Sequence, residues 1–355
     1  MELLSGCTRS GRRLARLALL AASACVPHLD VDESTVREPR VLAIIAEPAE
    51  SAPTSQQKIQ YTALVADEHG VRSDLSLAWY QCLAQKPLAE LGPVSKECLR
   101  NGSPKLASLG VGEAVEGTLP TNACSLFGPN PPPPVQGQPP GRPVDADESG
   151  GYKLPLIVGL NSELGSEVVL YEQRISCGLA NVSPDISVAF AQRYHANQNP
   201  RALALQVTGS MGTRSISSQD TLDVASNEQL AFSVSWPSCP ASDVCGDGVC
   251  GPDETSAACA ADCQKSVGCG GQERYLDLDR ERLELIVRRE SLRVAWYATT
   301  GTYDQARTGV SDADLSGVSS NRWRAPAQPG PASLWLVLRD SRGGVGFLQI
   351  AVTVH

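Results

Sequence analysis

Apolar and polar residues alternate with a period of two along much of this chain. In Leu292-Arg-Val-Ala-Trp-Tyr297, Leu292, Val294 and Trp296 fall on one face and Arg293, Ala295 and Tyr297 on the other, the pattern of a half-buried strand. The same letters occur earlier: Leu75-Ser-Leu-Ala-Trp-Tyr80 repeats leucine, alanine, tryptophan and tyrosine in register. A tryptophan on a period-2 strand suits the centre of a β-sandwich, where one large ring spans the gap between two sheets. The repeat predicts an all-β fold of two tandem sandwiches, each built around its tryptophan.

Further strands fit around these two. In the first half, Val41–Ala46 is an apolar run, and Ile59, Tyr61, Ala63 and Val65 alternate with Gln60, Thr62 and Leu64 before the turn Asp67-Glu-His-Gly70. Strands resume at Leu154–Val158 and Glu167–Ile175, and the unit closes near Cys177, giving a first domain over 40–178. Residues 83–150 between them have little apolar content and include Pro131–Pro134 and Gln138-Pro-Pro-Gly141, so they are expected to be an exposed insert. Residues 179–200 are the junction. Ser183-Pro184-Asp185 is a helix start, with Ile186, Ala189, Phe190 and Tyr194 on one face and Asn197–Pro200 as the stop. The second domain, 201–355, opens at Ala202–Val207. It continues with Leu230, Phe232, Val234 and Trp236, then a cysteine-rich insert over 239–269. Tyr275–Val287 adds strand or linker; Leu334–Leu338, the turn Arg339–Gly344 and Phe347–Val354 end the chain. Both inserts are expected to point away from their sandwiches.

The strand, the Asp-x-x-Gly turn, Leu-x-x-Ala-Trp-Tyr and the hairpin Leu336-Val-Leu-Arg-Asp-Ser-Arg-Gly-Gly344 together resemble bacterial immunoglobulin-like and PKD-type modules. The resemblance implies two tandem immunoglobulin-like β-sandwiches, the second with a small disulfide-rich insert. Composition agrees. Gly 31 and Pro 25 with only 5% aromatics fit turn-rich β structure. A net charge of −9 without a basic stripe argues against nucleic acid as a partner.

The N-terminus adds a location. Arg9, Arg12, Arg13 and Arg16 precede Leu17–Ala24, a basic region followed by an apolar run too short to span a bilayer. Ala22-Ser-Ala-Cys25 resembles the lipobox of bacterial lipoproteins. That implies a signal peptide over 1–24, lipidation of Cys25, membrane attachment through the lipid and a polar tether over 25–39. Val26 after the cysteine implies sorting to the outer membrane. An ordinary secretory signal is the alternative. The cysteines agree with export: Cys82, Cys98, Cys124 and Cys177 in one half, and Cys239, Cys245, Cys250, Cys259, Cys263 and Cys269 in the other, are even sets suited to disulfides. Their pairing is open.

One stretch carries candidate chemistry. Residues 243–263 resemble a small cysteine-rich repeat of extracellular bacterial proteins, Cys-Gly-Asp-Gly-x-Cys followed by Cys-x-x-x-Cys. No histidine lies nearby and no Cys-x-x-Cys occurs, which favours disulfides over zinc. Counted as a calcium loop from Asp243, Asp247 stands at position 5, Gly248 at 6, the Val249 carbonyl at 7 and Glu254 at 12. Cys245 at position 3 departs from that pattern, and an Asp-Gly turn on a disulfide knot is the simpler reading. The histidines, His28, His69, His195 and His355, form no recognisable catalytic motif, and Asp340 reads as a turn residue. These observations lead to a non-catalytic envelope lipoprotein that displays immunoglobulin-like modules for binding, adhesion or structural linkage to a protein or glycan. A calcium-dependent binding module and an accessory or degenerate hydrolase are the alternatives.

Overall fold

The computed structural model describes residues 33–87, 90–129, 147–160, 168–218, 220–263 and 268–355. Residues 1–24, expected to be a signal peptide, Cys25 and the proline tract lie outside them.

The first sandwich comprises β1 (Arg40–Glu47), β2 (Glu50–Ser51), β3 (Lys58–Asp67), β4 (Gly70–Val71), β5 (Leu77–Cys82), β6 (Leu106–Val111), β7 (Ala114–Thr118), β8 (Gly151–Leu160) and β9 (Val168–Ser176). One sheet runs β1-β3-β4, with β7 also on β3; the facing sheet runs β2-β9-β8-β5-β6. The second comprises β10 (Ala204–Gly209), β11 (Gly212–Ile216), β12 (Thr221–Val224), β13 (Gln229–Ser235), β14 (Arg274–Asp279), β15 (Glu284–Arg289), β16 (Leu292–Ala298), β17 (Thr302–Tyr303), β18 (Arg307–Val310), β19 (Val318–Arg324), β20 (Gly330–Asp340) and β21 (Val345–Val354). Its sheets run β11-β10-β13-β19-β17 and β12-β21-β20-β16-β18. The two sandwiches share one topology. β1-β3-β7 matches β10-β13-β19, β2-β9-β8-β5-β6 matches β12-β21-β20-β16-β18, and the β2–β9 and β12–β21 pairs are both parallel. The fold is all-β, two immunoglobulin-like sandwiches in tandem.

The repeated tryptophans occupy equivalent strands, β5 and β16, and both are fully buried. Each indole N–H is satisfied: Trp79 donates to the Gly112 carbonyl and Trp296 to Thr308 Oγ1, both at 2.8 Å. Ile59, Tyr61, Ala63 and Val65 line the first core as their alternation predicts. Between the sandwiches α2 (Pro184–Arg193) follows the short α1 (Ala123–Phe127). Ser183 Oγ accepts the Ile186 amide at the N-cap, Pro184 opens the first turn, and Phe190 is buried.

The two sandwiches belong to one compact unit, residues 34–355. Leu42, Ala43, Leu64 and Ala66 from the outer face of the β1–β3 sheet pack with Ala295, Trp335, Val337 and Val345 of the second sandwich. The outer face of each of these sheets is therefore a second hydrophobic face, and Leu64, opposite the face of Ile59, Tyr61, Ala63 and Val65, meets an interface.

Three expectations change here. Residues 83–150 are not wholly an excursion, because β6 and β7 are strands of the sandwich itself. Both are short and half-exposed, β6 contains Gly110 and β7 Gly117, and so their alternation is faint. The tether does not stay free along its whole length: Ser34 and Val36 bond Ala298 of β16 and Val36 is fully buried. The cysteine insert does not point away but packs against the junction, through Arg193 and His195. Tyr275–Val287 supplies the β14–β15 hairpin.

Candidate functional site

A buried polar cluster joins the sandwiches. It starts at Glu50, on the two-residue strand β2, where the carboxylate is fully buried. Its oxygens accept from Arg174 Nε (3.0 Å), Ser176 Oγ (2.9 Å), the Asn197 amide (2.8 Å), the Tyr194 hydroxyl and, from the second sandwich, Arg342 Nη2 (3.2 Å). Burial pushes the Glu50 carboxyl up. Arg174 and Arg342, with the Tyr194 and Asn197 donors, outweigh it and hold the group below its ordinary value. Burial beside Glu50 pushes the Tyr194 hydroxyl up to about 12.

Arg342 is the centre of the second half. It also reaches the Glu290 carboxylate (3.5 Å) and donates to the His195 carbonyl (2.9 Å). Asp340 accepts the Arg342 and Gly344 amides (2.8 and 2.9 Å) and the Asn197 side chain (3.2 Å). The turn role read for Asp340 is present, with the junction added to it. Burial raises Glu290 well above its ordinary value and Asp340 repels its charge further, against Arg342. Glu273 and Asp340 are raised by burial as well.

The cysteine insert docks onto this junction. Among the described residues the disulfides are Cys82–Cys98, Cys124–Cys177, Cys239–Cys269, Cys245–Cys259 and Cys250–Cys263. Each half pairs within itself. This many disulfides fit an oxidising, extracytoplasmic compartment. Arg193 at the end of α2 donates to the Pro252 carbonyl (2.7 Å) and pairs with Asp253. His195 Nε2 lies 3.1 Å from the Gly251 carbonyl, and burial keeps this imidazole below its ordinary value and so neutral near pH 7. A cavity of about 30 Å3, room for a water or two, lies between the insert and the junction, lined in part by His195, Gly251, Glu273 and Arg342.

Asp243 and Glu254 converge on Gly251: Glu254 Oε2 accepts its amide at 2.9 Å, and Asp243 lies alongside. The cation that Asp243 meets is Arg274, and its second oxygen accepts the Asp253 amide (2.7 Å). Asp247 is exposed and accepts the Val249 amide (2.9 Å) in a turn of its own. The residue that organises the loop is Asp262, which the sequence reading passed over. Its carboxylate accepts the amides of Gly246 (2.5 Å) and Gly248 (3.1 Å), two glycines at φ 100° and 86° where a side chain would be strained. Asp262 in Cys-x-x-Asp-Cys was the available signal. Sulfur atoms of Cys245 and Cys259 lie near Glu254 and Asp262, but they are bonded to each other and are not thiolate ligands. Glu50, Arg174 and Arg342 had no sequence signal beyond being charged residues within or beside strands.

No family model matches the chain, and no curated protein resembles it. Among solved structures, the D0–D1 domains of intimin cover 89% of this chain and 96% of their own at 9% identity, with a TM-score of 0.19. The D00–D0 domains of intimin cover 88% and 100% at 10% identity, TM-score 0.21. The adhesin InvE of Yersinia pseudotuberculosis is covered to 58%, spans 87% of this chain and is 10% identical, TM-score 0.19. At these scores the likenesses carry no argument, and the immunoglobulin-like assignment rests on strand order.

Proposed function

We propose that this protein is a non-catalytic lipoprotein of the bacterial envelope, anchored through Cys25 in the outer membrane, that presents two fused immunoglobulin-like sandwiches for binding or structural linkage. The observation that carries this reading is the buried Glu50–Arg342 junction. It makes a stiff body out of two modules and uses chain from both sandwiches and the linker to do so. A display platform gains from that stiffness, because a partner meets loops already held in place. Disulfides in both halves support a location outside the cytoplasm. Intact mass of the protein from its native membrane, before and after reduction with alkylation, tests the reading. Acyl mass on a chain that begins at Cys25, with alkylation of the remaining cysteines only after reduction, is the expected result. A chain that keeps residues 1–24, or that has free thiols without reduction, would overturn it.

A second reading keeps calcium at the cysteine insert. Glu254 Oε1 is buried without a hydrogen-bond partner, and the Asp262 carboxylate lies within 4.8 Å of the Glu254 carboxylate. Arg274 competes for the neighbouring Asp243. Millimolar calcium that moves the amide resonances of residues 243–262 supports this reading; unmoved resonances sink it.

A further inference from the structure

A groove of about 650 Å3 runs along the free edge of the second sandwich, between β18, β16 and the β15 side of the β14–β15 hairpin. Arg288, Arg289, Arg293 and Arg307 line it, and among its described lining residues Asp312 is the one carboxylate. This local excess of positive charge sits on a chain of net charge −9.

Strand register explains how the charges gather. Arg293 on β16 lies opposite Gly309 on β18, and Arg307 lies opposite Ala295 two residues along. All four positions share the outer face of the sheet, so the two guanidinium groups are diagonal neighbours. Gly309 leaves the space before Arg293 open, and a Cβ there would come within 2.3 Å of the Leu292 carbonyl oxygen. On its other side Arg293 is paired directly with Arg339 of β20. Like charges directly opposite each other destabilise a sheet; Arg339 is turned to the Leu42 carbonyl (2.8 Å), which leaves Arg293 without a compensating partner on β20.

Two of the four lining arginines, Arg293 and Arg289, have no carboxylate partner among the described residues. The Arg293 side chain is exposed, and its guanidinium has no ion pair or hydrogen bond among the described residues. Arg289 donates only to carbonyl oxygens, those of Gln272 (3.1 Å) and Pro240 (3.5 Å). Burial and the nearby Arg274 push its guanidinium below its ordinary value, as expected of a cation lacking a counter-charge. Arg288 is shared with Asp277.

We infer that this groove is a binding site for an acidic polysaccharide, whose carboxylate or sulfate groups meet Arg293, Arg289 and Arg307. The rest of the lining fits a sugar chain better than a peptide. Ser291, Ser311 and Ser341 add polar groups along it, Leu292 and Val310 are buried in the sandwich, and the half-buried Tyr275 is the one aromatic ring among its described lining residues, a flat face for a sugar rather than a row of apolar pockets for a peptide. The inference deepens the binding reading given above and rests on it.

The test is binding of the full chain to polygalacturonate, dextran sulfate and neutral dextran at low and high salt. Binding to at least one of the two acidic polymers, weakened by salt, and none to neutral dextran is expected; which of the two binds tells carboxylate from sulfate. Arg293→Glu and Arg307→Glu should each weaken binding at least 10-fold. Arg322→Glu, the same charge change on the exposed face of the opposite sheet, should not. Arg293→Gln serves as the milder variant if the Glu variant melts early. Absence of binding to both acidic polymers at low salt overturns the inference, as does an Arg322→Glu effect equal to that of Arg293→Glu. Equally tight, Arg293-dependent binding of polyglutamate overturns the commitment to a sugar. Sedimentation with isolated envelope material separates the two levels. A chain that sediments with it regardless of Arg293→Glu loses only the groove, whereas a chain that binds neither polymer nor envelope loses the binding reading too.

Discussion

Glu50 of the first sandwich and Arg342 of the second form an ion pair, Nη2 to Oε2 at 3.2 Å, with both side chains buried. Buried guanidinium groups left without their carboxylate, here Arg174 and Arg342, cost far more than a surface pair contributes. Glu50→Ala should therefore destabilise by about 3–5 kcal/mol, and it should also uncouple the sandwiches. Urea unfolding followed by tryptophan fluorescence is expected to show one transition in the native chain and two in the variant. A single unshifted transition would show that the apolar contact among Leu42, Leu64, Trp335 and Val337 holds the sandwiches together without the ion pair.

The pH dependence of stability should carry two opposite contributions. The Glu50 carboxyl lies below its ordinary value of 4.5 in the folded chain, so its contribution is present above that pH and is lost as pH falls through the lowered value. Glu290 lies well above 4.5 when folded, so the folded state holds its proton more tightly. Its contribution is full below 4.5 and is lost as pH rises toward the raised value. Glu290→Gln should be at least as stable as the native chain at pH 8, with a flatter profile between pH 5 and 8 in thermal melts. A variant that loses stability at pH 8 would mean that Glu290 is a needed anion for Arg342.

Each tryptophan should be worth a similar amount to its own sandwich. Trp79→Ala and Trp296→Ala each empty the centre of a core, and each should cost about 3–5 kcal/mol. Near-ultraviolet circular dichroism and denaturant melts would read the loss. Sharply unequal costs would argue that the repeated strands are not structural equivalents.

The Cys124–Cys177 bridge closes 53 residues of chain and ties α1 to the end of β9. Replacing both cysteines by alanine should cost about 4 kcal/mol by loop-closure entropy, against about 3 kcal/mol for Cys82–Cys98, which spans 16 residues. Denaturant titrations of the two double variants give the order. The reverse order would place the stabilisation in native packing around Cys82 and Cys98, both fully buried.

The knot should leave the junction when Arg193 is lost. Its guanidinium holds the Pro252 carbonyl and Asp253, while the rest of the insert is kept in shape by its own disulfides and by Asp262. Arg193→Ala should raise hydrogen exchange across residues 243–263 several-fold with little change in the melting midpoint. Unchanged exchange would assign the docking to Arg274 and Asp243 instead.

Much of the fold was legible along the chain because it is written in local terms. Period-2 alternation marks β3, β13, β16 and β21, the Ser183-Pro184-Asp185 cap marks α2, and even sets of cysteines mark closure within each half. Such signals depend on neighbours a few residues apart. Strands β6 and β7 were lost for the converse reason, since half-exposed strands with a glycine in each carry little alternation. The pairing of the two sandwiches, the docking of the insert and the arginine groove were decided only by tertiary structure. Glu50 and Arg342 are 292 residues apart, and Leu64 on an outer face looks the same in sequence whether water or a second sheet lies beyond it. Sequence determined the strands with clear alternation and which face of each carries the core. Burial, which is a property of what the whole chain places around a residue, decided which charges had to find one another.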